Sequence, residues 1–152
     1  MSKSYEEIER EKEAIREVNE LHLIGFRIWL QNNGLSDRTI NKHVSNADLY
    51  INHFLLYYED MLDVERGYIR VDWYLGDWFI RKCWATEGTI KSNAASIKKF
   101  YEYMLAVGVV DDGDYDYICK TIKDEMPDWL DDMREHNEMV TEYIESKSSG
   151  IY

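Results

Sequence analysis

Two stretches of this chain, fifty residues apart, carry one helical pattern twice. Laid over one another, residues 39–55 and 89–105 match Ile40 with Ile90, Val44 with Ala94, Ala47 with Ile97 and Tyr50 with Phe100. Ile51 with Tyr101, Phe54 with Met104 and Leu55 with Leu105 complete the match. Steps of three and four hold such residues on one face of a helix, and no strand sustains that period. Both stretches are therefore predicted as long amphipathic helices. Ser36 is placed to cap the first, with Asp37 favourable in its first turn, and the helix is expected to run to about Tyr58. Thr86-Glu87-Gly88-Thr89 opens the second, which closes at Ala106-Val107-Gly108.

The remainder also reads as helix. Ser4-Tyr5-Glu6-Glu7 fits a capping box for a helix reaching about Gln31, where Asn32-Asn33-Gly34 supplies a left-handed stop. Gly25 within the apolar run Leu21–Leu30 marks a close crossing or a bend. Asp72 is expected to cap a shorter aromatic helix through Cys83. Tyr115–Glu125 forms another short helix, and Pro127 suits the first turn of a last one carrying Trp129, Leu130, Met133, Val140 and Ile144. Residues 146–152 are expected to fray. No segment alternates as a strand would, so the chain is predicted all-α.

Charge divides the chain more finely than this helix pattern. The net −12 is concentrated at the ends. Residues 111–145 hold 13 Asp and Glu against Lys120, Lys123 and Arg134, and residues 1–20 hold seven Glu against four cations. Residues 21–110, which contain both long helices, carry ten of each sign. The predicted layout is an acidic N-terminal helix extension at 1–20, a helical domain at 21–125, and an acidic C-terminal helix and tail at 126–152. No run approaches the ~20 apolar residues of a membrane span. The glutamate-rich start is the opposite of a secretory signal, and Cys83 and Cys119 have no paired spacing. A cytoplasmic, reduced location is expected, with no membrane partner.

The motifs Leu35-Ser36-Asp37-Arg38-Thr39-Ile40 and Ser96-Ile97-Lys98-Lys99-Phe100-Tyr101-Glu102-Tyr103-Met104-Leu105, on either side of a short aromatic helix, resemble the N-terminal core-binding domain of tyrosine recombinases and phage integrases. The resemblance covers about residues 21–125. It implies a SAM-like helical bundle, here with flanking acidic helices, whose two long helices meet duplex DNA. Carried over by position, the implied DNA-binding residues are Arg38, Thr39 and Lys42 on the first helix, and Lys91, Ser92, Lys98 and Lys99 on the second. Cations on a polar face suit phosphate, whose contacts position a duplex without reading it.

The family's catalytic domain carries an Arg, a Lys, a His-x-x-Arg, a further His or Trp and a nucleophilic Tyr. No histidine here is followed by Arg at the third position, so no strand cleavage and no catalytic residue is expected. His22, His43, His53 and His136 never pair at metal-ligand spacing, and Asp111, Asp112, Asp114 and Asp116 lack the glycine and distal glutamate of a calcium loop. No metal, cofactor or small-molecule substrate is expected. Two readings follow. One is a non-catalytic domain binding duplex DNA weakly through phosphate contacts. The alternative is a protein-interaction module that keeps the fold and engages a basic protein, a recombinase or a second copy through its acidic surfaces. In the first reading the acidic last helix is able to fold over the lysine face.

Overall fold

The computed structural model describes residues 3–150, and no strand occurs among them. Helix α1 (Tyr5–Asn32) leads to α2 (Asp37–Asp48), which continues into a π-helical segment, Leu49–Phe54. Short pieces follow: α3 (Val64–Gly67), a 3-10 turn (Tyr68–Arg70), α4 (Val71–Trp73), a π-helical turn (Tyr74–Trp78) and α5 (Phe79–Lys82). Two long helices complete the chain, α6 (Glu87–Ala106) and α7 (Asp112–Ser149). No helix among the described residues is long and apolar enough to cross a membrane.

The helix starts are set by side chains. Ser4 and Ser36 accept the amide protons of Glu7 and Thr39, although Ser4 forms only the forward half of the expected box. Thr86 with Thr89, and Asp111 with Asp114, form reciprocal boxes, each satisfying two of the donors a helix N-terminus leaves free. Gly34 and Gly108 take positive φ just past α1 and α6, where an L side chain is disfavoured.

α6 is the spine of the core, packing against α2 on one side and α7 on the other. Its Ile90, Ile97, Phe100, Tyr101 and Met104 are buried together with Phe26 and Leu30 of α1 and with Ile118 and Trp129 of α7. Tyr50, Phe54, Tyr74 and Trp78 come from the two π-helical segments and contact one another through their rings. Two buried hydroxyls fasten α3: Tyr50 donates to the Gly67 carbonyl and Tyr101 to the Val64 carbonyl.

Three expectations are corrected. Residues 115–149 are one helix, unbroken at Pro127. Proline there removes one amide donor, but Ile118 before it and Trp129, Leu130 and Met133 after it are buried in the same core, so packing carries the helix through. Asp72 caps nothing; it lies within α4, and its carboxylate accepts the Trp129 indole N–H at 2.7 Å. The first twin helix leaves regular α turns at Asp48 and ends at Phe54, short of Tyr58, after the widened π segment.

Candidate nucleic-acid interface

Where α2 crosses α6, their facing polar side chains form a continuous seam. Asn46 donates from Nδ2 to Ser92 Oγ at 3.2 Å and to Ser96 Oγ at 3.0 Å. Ser96 Oγ also lies 2.8 Å from His43 Nδ1. A hydroxyl has one proton to donate and two lone pairs to accept with, so Ser96 can serve Asn46 and His43 together. Burial holds the His43 pKa below 6.5, and the charges of Lys99 and Lys42 lower it further. The charge of one cation from each long helix therefore bears on one imidazole.

The seven residues singled out by sequence divide around this seam. Ser92 lies in it. Arg38 and Lys42 are exposed one turn apart on α2, and neither they nor Lys98 make an ion pair with any described residue. Lys99 is held in place, its ammonium 5.6 Å from the centroid of the Trp29 ring and 3.3 Å from Glu102. Thr39 is engaged at the α2 start, where its hydroxyl accepts from Ser36 at 3.0 Å.

Lys91 and Lys98 sit apart from the seam. With Glu87 and Glu102 they follow steps of four, seven and four along the outer ridge of α6. Lys91 is bound to Glu87 at 2.9 Å, and Glu87 also receives Arg134 of α7 at 3.7 Å. At the other end of the ridge, burial, then Cys119 and then the charge of Glu102 raise the pKa of Tyr115 on α7. Helix α7 thus runs antiparallel beside the Lys91–Lys98 ridge. At the Glu87 end of that ridge α7 places Arg134, itself 3.3 Å from Asp131.

One group of α7 carboxylates, Asp124, Glu125, Asp128 and Asp132, lies around Asp72. Neighbouring charges of Asp72, Asp128 and Asp124 raise the Glu125 pKa, the first acting most strongly. Desolvation and then Asp128, Glu135, Asp131 and Asp72 raise that of Asp132. The charges that bear on His43 are both positive.

Sequence reasoning missed His43, Asn46 and Ser96, the residues that join the two helices. Their signal was present: His43 and Asn46 are spaced by three, and Ser92 and Ser96 by four, each pair at the edge of an apolar stripe. The ion pair of Glu102 is with Lys99 (i,i+3). Among the described residues no group of three or more His, Cys, Asp or Glu is arranged to hold a metal ion. Both cysteines are free. No family model matches the chain, and neither a curated protein nor a solved structure is similar enough to be informative about it.

Proposed function

We propose that the α2–α6 face binds duplex DNA without cleaving it, in the manner of a stand-alone core-binding domain of the tyrosine recombinase type with a SAM-like bundle. The observation that carries this reading is the pairing of Lys42 and Lys99 about His43, over a hydrogen-bonded floor of Asn46, Ser92 and Ser96. Arg38 extends the cationic surface of α2, and Lys98, on the outer ridge of α6, offers a further cation at its side; neither has a carboxylate partner among the described residues. These four cations contact phosphates, and the Ser92 and Thr39 hydroxyls add hydrogen bonds. Lys91 joins them when phosphate replaces Glu87.

The remaining surface repels the ligand. A net charge of −12 makes binding weak, and specificity, if any, resides in groups near the seam rather than in overall attraction. Mixed-sequence duplex should bind in fluorescence anisotropy at low salt and dissociate as salt rises. Four phosphate contacts give a slope of roughly −3 to −4 in log K against log salt. The double variant Lys42→Ala, Lys99→Ala should bind more weakly and lose about two units of that slope. Absence of binding at the lowest salt would end this reading.

A second reading is favoured by the acidic cluster around Asp72, where the charge of Asp72 lifts the Glu125 carboxyl, and desolvation followed by neighbouring charges lifts that of Asp132. Such a surface gains by meeting a basic protein. Under that reading a Lys/Arg-rich peptide binds the wild type, and Asp128→Asn with Asp132→Asn weakens it, while DNA binding stays absent.

A further inference from the structure

Trp84 follows α5 in the left-handed backbone conformation, φ +51°, and it is the one described non-glycine residue with positive φ. Glycine or asparagine normally fills this place after a helix, because a side chain there crowds the backbone. This tryptophan is also 80% exposed. Neither local preference nor burial in this chain accounts for a large aromatic residue held in a strained, open position. Strain of that kind collects where a side chain is put to use, and tryptophan is prominent among the anchors of protein interfaces.

Beside it runs an apolar seam that outlasts the core. Met126, Leu130, Met133, Asn137, Val140 and Ile144 follow alternating steps of four and three along α7, the spacing by which one helix pairs with another. The first three pack into the core. Asn137 then fastens α7 to the body, donating to the Ala85 carbonyl at 3.0 Å. Beyond it the seam emerges into solvent: Ile144 is 52% exposed, with Tyr143 at 63% and Met139 at 62% beside it. Between this projecting end and the body lies a groove of about 480 Å³, bordered by Ile80, Trp84, Ala85, Val140 and Ile144.

We propose that the groove receives the projecting end of α7 from a second copy of this chain, in a two-fold dimer. The contact is self-complementary, as a two-fold interface must be. When two α7 ends cross antiparallel near Thr141, Ile144 and Glu145 of one copy come level with His136 and Asn137 of the other. Those residues stand beside Trp84 and Arg81 in the groove.

One charge pairing is complementary: Glu145 of the projecting end comes level with the stretch of the other copy that stands beside Arg81, the cation bordering the groove. The exposed parts of Trp84 and Tyr143 alone amount to roughly 300 Å² per copy. With Met139, Val140 and Ile144 added, the pair of copies reaches the ~1,000 Å² that a specific interface needs. The proposal is independent of DNA binding, since the groove lies at the α5–α7 end and the seam at α2–α6.

The test is sedimentation equilibrium of the full chain, without DNA, from submicromolar to high micromolar concentration. The fitted mass should rise to twice that of the chain. Trp84→Gly, which relieves the backbone strain, and Ile144→Asp, at a solvent-exposed position, should each shift the dissociation constant at least tenfold toward monomer. Their circular dichroism should remain that of the wild type. A wild-type monomer throughout the range would give the groove to some other protein and overturn the proposal. So would a dimer that both variants leave intact, because it would use a different face.

Discussion

The hydroxyl of Tyr103 stands where a side chain on Gly25 would begin. A Cβ built on Gly25 meets Tyr103 Oη first, and Cζ lies only 3.1 Å from it. The Tyr103 ring cannot swing aside easily, since it packs against Phe26 and Trp29 with centroids 5.9 and 5.6 Å away. Helices α1 and α6 cross this closely because residue 25 has no side chain. Gly25→Ala should gain up to about 1 kcal/mol of helix propensity but lose more to overpacking, for a net destabilisation of about 1–2 kcal/mol. Adding Tyr103→Phe should recover part of that loss in urea titrations. Simple additivity of the two changes would contradict the collision.

Asn19 is 1% exposed, and its amide donates to the Ile51 carbonyl at 3.1 Å and to Asn52 Oδ1 at 2.9 Å. It thereby supplies donors to the π-helical segment from the neighbouring helix. Asn19→Ala should cost about 2–3 kcal/mol, through lost packing and an Ile51 carbonyl deprived of its side-chain donor. Asn19→Asp, which retains shape but loses the donor pair, should cost at least as much. A urea midpoint that did not move in either variant would show that the segment does not depend on this residue.

Burial pushes the pKa of Tyr50, Tyr101 and Tyr74 upward. In the unfolded chain the same phenols ionise near pH 10, so above that pH the unfolded state binds fewer protons. Their contribution is complete below about pH 10 and declines above it, by roughly 1.4 kcal/mol per pH unit for each tyrosine. Tyr101→Phe should lower stability at neutral pH, because the Val64 carbonyl loses its donor. It should also make the alkaline decline shallower by one tyrosine's share. Equal slopes for wild type and variant in denaturant titrations would refute the assignment.

The depressed pKa of His43 has the opposite sign. As pH falls below 6.5, the unfolded chain takes up the proton before the folded one does. The stability that neutral His43 contributes is therefore present above that pH and lost below it. If the α2–α6 face binds DNA, the acquired charge adds a third cation beside Lys42 and Lys99. DNA affinity should then rise as pH falls below 6.5, and His43→Gln should flatten the rise. A wild-type profile without pH dependence would remove His43 from the interface.

Much of the helical layout was legible because it depends on near neighbours. The cap at Ser36, the helix start at Thr86–Thr89 and the stop at Gly34 follow from a few consecutive residues, and Gly25 was readable as a close crossing or a bend, of which the structure has the crossing. Pro127 misled because its local preference, for the start of a helix, is overridden by Trp129 and Leu130 packing into the same core as Ile118. The π segments were invisible for a different reason. Tyr50 and Phe100 occupy matching places in the two sequence patterns, yet Tyr50 lies on a widened turn and Phe100 on a regular one. Of the candidate interface, the cations were readable as a polar face. Which of them converge was decided by how α2 crosses α6, a distant relationship that periodicity does not encode.

Helix α7 has 38 residues and α6 has 20, which at the usual rise are about 57 Å and 30 Å. The last nine described residues of α7 are all exposed, and so are most of the first ten of α1. A particle with two such rods extending past its packed centre meets more friction than a sphere of equal mass. It will emerge early from a gel-filtration column even as a single chain. Counting copies by elution volume would therefore overstate them, whereas light scattering or sedimentation equilibrium weighs the particle directly.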